Sequence, residues 1–265
     1  MGSFANSTHV MISDGSKVVG AIEGLMEKAG YRPTENLPAE GDVQDWQSHL
    51  RAFRIAKPSN GWVGILDSDL MDSKELATHL SSQLGTYALT CGVNDSDSWQ
   101  YCLLARGEQR DEFDSMDALD SMSRKESEDW RDSLAAMSAD DDSSGGVYDM
   151  STEKVAPEMR GVREEEPENE VPETGRGSRQ DNAFLQDRVA NLRPILPEDA
   201  EEEELLDILG TQAVFAEDTL ETFLDLMGIS PFFAYLSYEY TEEFGEADFA
   251  DAEIEWLAHL GFEKE

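Results

Sequence analysis

Four aspartates, Asp67, Asp69, Asp95 and Asp97, come nearest in this sequence to a reaction centre. Two apolar runs suited to strands, Trp62-Val63-Gly64-Ile65-Leu66 and Thr86 to Val93, flank a helical stretch carrying Leu76, Leu80 and Leu84. A right-handed crossover through that helix makes the two strands parallel and brings their carboxyl ends to one edge of the sheet. Aspartates gathered there are hard oxygen ligands of the kind that hold Mg²⁺ or Ca²⁺. The enzyme reading is therefore a metal-dependent hydrolase, such as a phosphoesterase. Aspartates also end strands and begin turns with no catalytic purpose. The window from Asp67 to Thr78 departs from the calcium-loop pattern, with Met71 at its fifth position, Asp72 where glycine is needed and Thr78 in place of the final glutamate. Between residues 60 and 100 only Lys74 and His79 stand ready to assist carboxylates, which favours binding over catalysis.

Other chemistries lack their signatures. No phosphate-binding glycine loop, nucleophile elbow or H-E-x-x-H pair occurs, and Gly175-Arg176-Gly177 has no strand before it. His9, His49, His79 and His259 are far apart in sequence, without a second ligand at helical spacing. Cys91 and Cys102 fall on neighbouring expected strands without C-x-x-C spacing and read as small buried hydrophobes. No apolar run approaches the roughly 20 residues of a membrane helix, and no basic, apolar leader opens the chain. The expectation is a reduced, cytoplasmic protein.

Charge is the strongest signal. The 265 residues carry 58 acids against 20 Lys and Arg, a formal net charge of −38. That sign excludes a basic groove for nucleic acid or a polybasic membrane anchor as the dominant feature. The acid is also unevenly placed: residues 201–265 hold 19 acids and one base, Lys264. Glu201, Glu202, Glu203 and Glu204 adjoin Leu205-Leu206, while Glu242, Glu243, Glu246 and Asp248 precede Trp256. Acids interleaved with apolar positions describe an amphipathic helical module with an acidic outer face. These eight residues are the expected partner-binding set. The favoured function is a non-enzymatic binding or regulatory protein that engages a basic protein, in the manner of an immunity protein, an inhibitor or a DNA mimic. Solubilisation alone is the plainer use of the same charge.

An α+β fold should carry these residues. Strand and helix signals alternate over residues 8–115 and predict strand–helix–strand–strand units in a mixed sheet. Ser16 is the expected cap of a first helix that Gly30 stops, and Asp72 or Ser73 caps the one through Leu80. Pro58-Ser59-Asn60-Gly61, Asn94–Asp97 and Arg106-Gly107 are turn sequences. From Ala135 to Ala183 there is no Leu, Ile, Phe or Trp, so residues 116–183 read as an acidic, largely disordered linker. Residues 184–265 then form a mainly helical module, with a strand possible at 232–240 and a closing helix through Ile254, Trp256, Leu257 and Leu260.

The stretch Gly61-Trp62-Val63, Asp67, Leu76 to Leu89 and Val93-Asn94-Asp95-Ser96-Asp97, with Gly107 and Asp111-Glu112-Phe113-Asp114-Ser115, resembles a group of uncharacterised bacterial proteins. Their pattern is a strand, a helix and a hairpin built on an Asp-Ser-Asp turn, here over roughly residues 61–115. The resemblance implies a shared α+β fold and no established activity.

Overall fold

The computed structural model describes residues 4–35, 49–69, 73–118, 183–211, 215–238, 241, 244 and 246–264. The expected linker falls outside these residues, apart from 116–118 and 183, and so does Asp72. The strands are β1 (Phe4–Met11), β2 (Tyr31–Pro33), β3 (Leu50–Ala56), β4 (Trp62–Asp67), β5 (Tyr87–Asn94), β6 (Ser98–Ala105), β7 (Glu108–Asp114) and β8 (Trp256–Lys264). The helices are α1 (Gly15–Lys28), α2 (Ser73–Leu84), α3 (Ala183–Leu192), α4 (Glu202–Leu209), α5 (Ala216–Leu226) and α6 (Glu246–Asp251), with 3₁₀ turns at Arg193–Ile195 and Pro231–Tyr235.

The strands form one sheet in the order β2-β8-β3-β4-β1-β5-β6-β7. Every pairing is antiparallel, so the sheet is not mixed as the sequence reading had it. The expected crossover nevertheless exists. β4 and β5 are both antiparallel to β1, hence parallel to each other, and the N-terminal strand is laid between them.

Alternating side chains give the sheet two apolar faces. Val10, Phe53, Ile65 and Phe262 meet Val18 and Ile22 of α1 and Leu76 and Leu80 of α2 on one face. Leu66, Leu89, Tyr101 and Phe113 meet Leu192, Leu205, Leu220 and Phe223 of the C-terminal helices on the other. The cap of α1 is Asp14, whose Oδ1 accepts from the Ser16 amide at 3.2 Å, and not Ser16.

The expected division into two folded parts is corrected. Met1–Ser121 and Ala183–Glu265 form one compact unit. β8 is the reason: the stretch read as a closing helix is a strand between β2 and β3, with Phe53 opposite Leu260 and Ile55 opposite Ala258. Ala258, Leu260 and Phe262 share the face toward α1 and α2, a period of two that Ile254, Trp256, Leu257 and Leu260 had disguised as helical spacing. Of the strand considered at 232–240, the described residues 232–238 form none. Pro231 opens a 3₁₀ turn, and the chain after it lies along β1, where the Asn6 amide donates to the Leu236 carbonyl at 3.2 Å.

Phe233 shows how closely the helical layer seats. Its ring stands edge-on to His9, centroids 4.8 Å apart, over Gly64, the cross-strand partner of His9. A Cβ on Gly64 would lie 2.3 Å from Phe233 Cζ, so only glycine leaves the ring its place.

Candidate functional site

Asp67 ends β4 and is buried, and both its carboxylate oxygens are engaged. Arg51 donates from Nε to Oδ1 at 3.1 Å and from Nη2 to Oδ2 at 2.6 Å, and the Asp69 amide donates to Oδ1 at 3.0 Å. Burial pushes the Asp67 carboxyl up to about 6, against the pull of the Arg51 guanidinium. Asp95 and Asp97 lie in the β5–β6 turn, Asp95 with φ of 53° and the Asp97 amide donating to the Asn94 carbonyl. All four aspartates share one end of the sheet, but they do not converge. Continuing the β1–β4 register puts Asp67 opposite Asn6, level with Gly92. Asp95 is three residues further along and two strands over, about 10 Å in each direction. Ligands of one cation must all lie about 2–2.6 Å from it. Among the described residues no group of three or more His, Cys, Asp or Glu is placed to hold a metal ion.

The cysteines offer no nucleophile. Cys91 and Cys102 are free and buried, on opposite faces of the sheet. Burial raises both thiols, Cys102 to about 11.

The β5–β6 turn has a structural task. Ser96 accepts the Ala216 amide on its carbonyl and donates its hydroxyl to Glu217, so the Asp-Ser-Asp hairpin seats the N-terminus of α5. A second tie, invisible in the sequence, joins α3 to the sheet edge. Arg188 bonds the Asp111 carboxylate, which Tyr101 also engages through its hydroxyl at 2.7 Å. The Tyr101 ring is stacked between Phe113 and Phe223.

The outer surface of the helical layer is acidic. Glu201–Glu204 are all exposed, Glu202–Glu204 forming the first turn of α4, where carboxylates suit the positive end of the helix dipole. Glu198, Asp199, Asp207, Asp218 and Asp225 are exposed with them. Of the two bases in residues 183–211, Arg188 is held by Asp111 and Arg193 bonds Glu202 at 3.2 Å. Asp248 is exposed on α6, Glu246 opens α6, and Glu242 and Glu243 lie outside the described residues.

A cleft of about 640 Å³ opens in this surface. Met11, Trp62, Ile195, Leu226 and Met227 supply its apolar lining, and Asn60, Thr222, Asp199, Glu204 and Asp225 its polar part. It is formed where the C-terminus of α5 meets the β3–β4 turn. Trp62 Nε1 donates to the Met227 carbonyl at 3.0 Å and Asn60 Nδ2 to the Gly228 carbonyl at 3.1 Å. Gly228, with φ of 72°, supplies the left-handed residue that turns the chain out of the helix. Of the cleft acids, the sequence reading singled out Glu204 alone.

No described helix is long and apolar enough to cross a membrane. The chain matches no protein-family model, no curated protein and no solved structure.

Proposed function

We propose that this protein is a non-enzymatic binding protein whose C-terminal helical layer engages a basic protein partner. The observation that carries the reading is the run of exposed carboxylates from Glu198 through Asp207, in a segment whose two arginines are already bonded to acids. Carboxylates so arranged steer a cationic partner toward one face and raise its association rate. Such steering weakens as the Debye length shrinks from about 10 Å at 0.1 M salt to 3 Å at 1 M.

The test begins with capture from native lysate at low salt and identification of the protein released by a salt gradient. Its association rate is then measured against salt for the wild type and for a variant with Glu201–Glu204 reversed to lysine. The reading expects a steep salt dependence in the wild type and an association rate lowered at least tenfold in the variant, with its melting temperature kept. Equal rates and equal salt slopes in the two proteins would reduce the acidic face to a solubility device.

A further inference from the structure

Resting on that reading, we infer that the cleft between the β3–β4 turn, the residues before α4 and the C-terminus of α5 is the socket for a lysine or arginine side chain of the basic partner. Its volume, about 640 Å³, is ample for such a side chain and leaves the cleft open to solvent on one side. The lining matches the two halves of such a side chain. Met11, Leu196, Pro197 and Leu226, each half-buried over Trp62, Ile195 and Met227, offer apolar surface to the aliphatic stem, while Asp199, Glu204 and Asp225 offer carboxylates to the cationic head. No lysine or arginine is among the lining residues.

The backbone adds to this field. α5 ends at Leu226, and its negative pole faces the cleft. A helix gains stability from a base in its last turn, yet α5 has none there and carries Asp225 instead. The Trp62 and Asn60 side chains satisfy the Met227 and Gly228 carbonyls without supplying positive charge. The cleft therefore combines an apolar lining, three acids and a helix C-terminus. A metal ion does not answer to this set, because no three of the described acids are close enough to share one.

The test uses the full chain and an acetylated, amidated octalysine peptide, titrated by calorimetry at low salt. Three variants are compared. The first neutralises the cleft (Asp199→Asn, Glu204→Gln, Asp225→Asn). The second neutralises three exposed acids outside it (Asp207→Asn, Asp218→Asn, Asp251→Asn). The third, Thr222→Trp, places an indole ring in the cleft and leaves the charge untouched. Denaturation curves check that each variant is folded. The socket predicts at least a tenfold loss of affinity for the first, at most threefold for the second, and at least fivefold for the third. Equal losses in the first two with none in the third would overturn the socket while leaving the acidic-face reading standing. No binding to the wild type at low salt would also overturn the socket. Rates that fall in the Glu201–Glu204 reversal, with affinities unmoved by Thr222→Trp, would place recognition on the open surface.

Discussion

The contact between Phe233 and Gly64 decides whether the acidic helices are bonded to the sheet as described, and a double-mutant cycle measures it. Phe233 is 4% exposed, and an alanine methyl at 64 would sit 2.3 Å from its Cζ and 2.9 Å from its Cε2. Restoring an ordinary separation of about 3.5–4.0 Å requires the ring to retreat by more than an ångström. His9, at 4.8 Å between centroids, stands beside it. Overpacking of this kind costs about 1–3 kcal/mol. Phe233→Ala alone should cost about 3–5 kcal/mol through lost burial and the cavity left behind.

The informative quantity is their coupling. With the ring gone, the Gly64→Ala methyl enters empty space and also restricts the unfolded chain, worth about 0.5–1 kcal/mol. Gly64→Ala should thus destabilise the wild type and stabilise the Phe233→Ala protein. The assay is equilibrium urea unfolding followed by tryptophan fluorescence, with unchanged m-values as the sign that the same transition is observed. Additivity within about 0.5 kcal/mol would mean that the two residues are not in contact and that the helical layer is seated differently.

Two further tests concern buried polar groups. Burial holds the His9 imidazole down to about 3, from its ordinary 6.5, so the native state binds fewer protons than the unfolded chain between those values and loses stability as pH falls through them. Asp67, raised to about 6, acts oppositely: its native carboxyl keeps a proton that the unfolded chain releases, so stability falls as pH rises from about 4 to 6. The two slopes oppose each other in the wild type. Urea titrations at pH 4.5 and 5.5 should show His9→Gln losing up to about 1.4 kcal/mol of the rise per pH unit and Asp67→Asn gaining up to the same, and parallel slopes in all three proteins would contradict both assignments. Arg188→Ala should cost about 3 kcal/mol, at the lower end for a broken buried pair because Arg188 is 23% exposed while the Asp111 carboxylate is wholly buried, and a loss below 0.5 kcal/mol in the same assay would deny that the pair secures α3.

What the sequence disclosed was what local chemistry determines. The β3–β4 turn at Asn60-Gly61, the β6–β7 turn at Gly107 and the stop at Gly228 follow from residues that tolerate positive φ, and the structure has each in place. β1 begins earlier than its apolar residues suggest, at Phe4, because Ser7, Thr8 and His9 are polar in type yet buried. Part of the answer lies within the strand, where the Ser7 hydroxyl and His9 Nε2 are 2.8 Å apart. β8 was misread because its apolar residues fit either period, and only pairing with β2 and β3 selects one. The candidate site divides the same way. The exposed glutamates of α4 are legible from composition, whereas the cleft joins Asn60 and Trp62 to Asp199 and Asp225 across more than a hundred residues that no local pattern connects.

That long-range closure bears on why so acidic a layer stays folded. Residues 201–265 carry 19 acids and one base, and their mutual repulsion opposes compactness. The fold offsets much of it locally. Glu202–Glu204 sit at the favourable end of α4, and Glu217 and Asp218 at that of α5. Trp99 and Tyr101 of the sheet grip Phe223, and β8 ties the end of the chain into the sheet. Asp225 escapes this compensation, as Asp207 does in α4 and Asp251 does in α6. It stands in the last turn of α5, where the helix dipole disfavours an acid, and it shares a cleft with Asp199 and Glu204 and no base. Asp207 and Asp251 stand equally near the C-termini of α4 and α6, but Asp225 alone of the three lines the cleft, where a cation of the proposed partner would also meet Asp199 and Glu204.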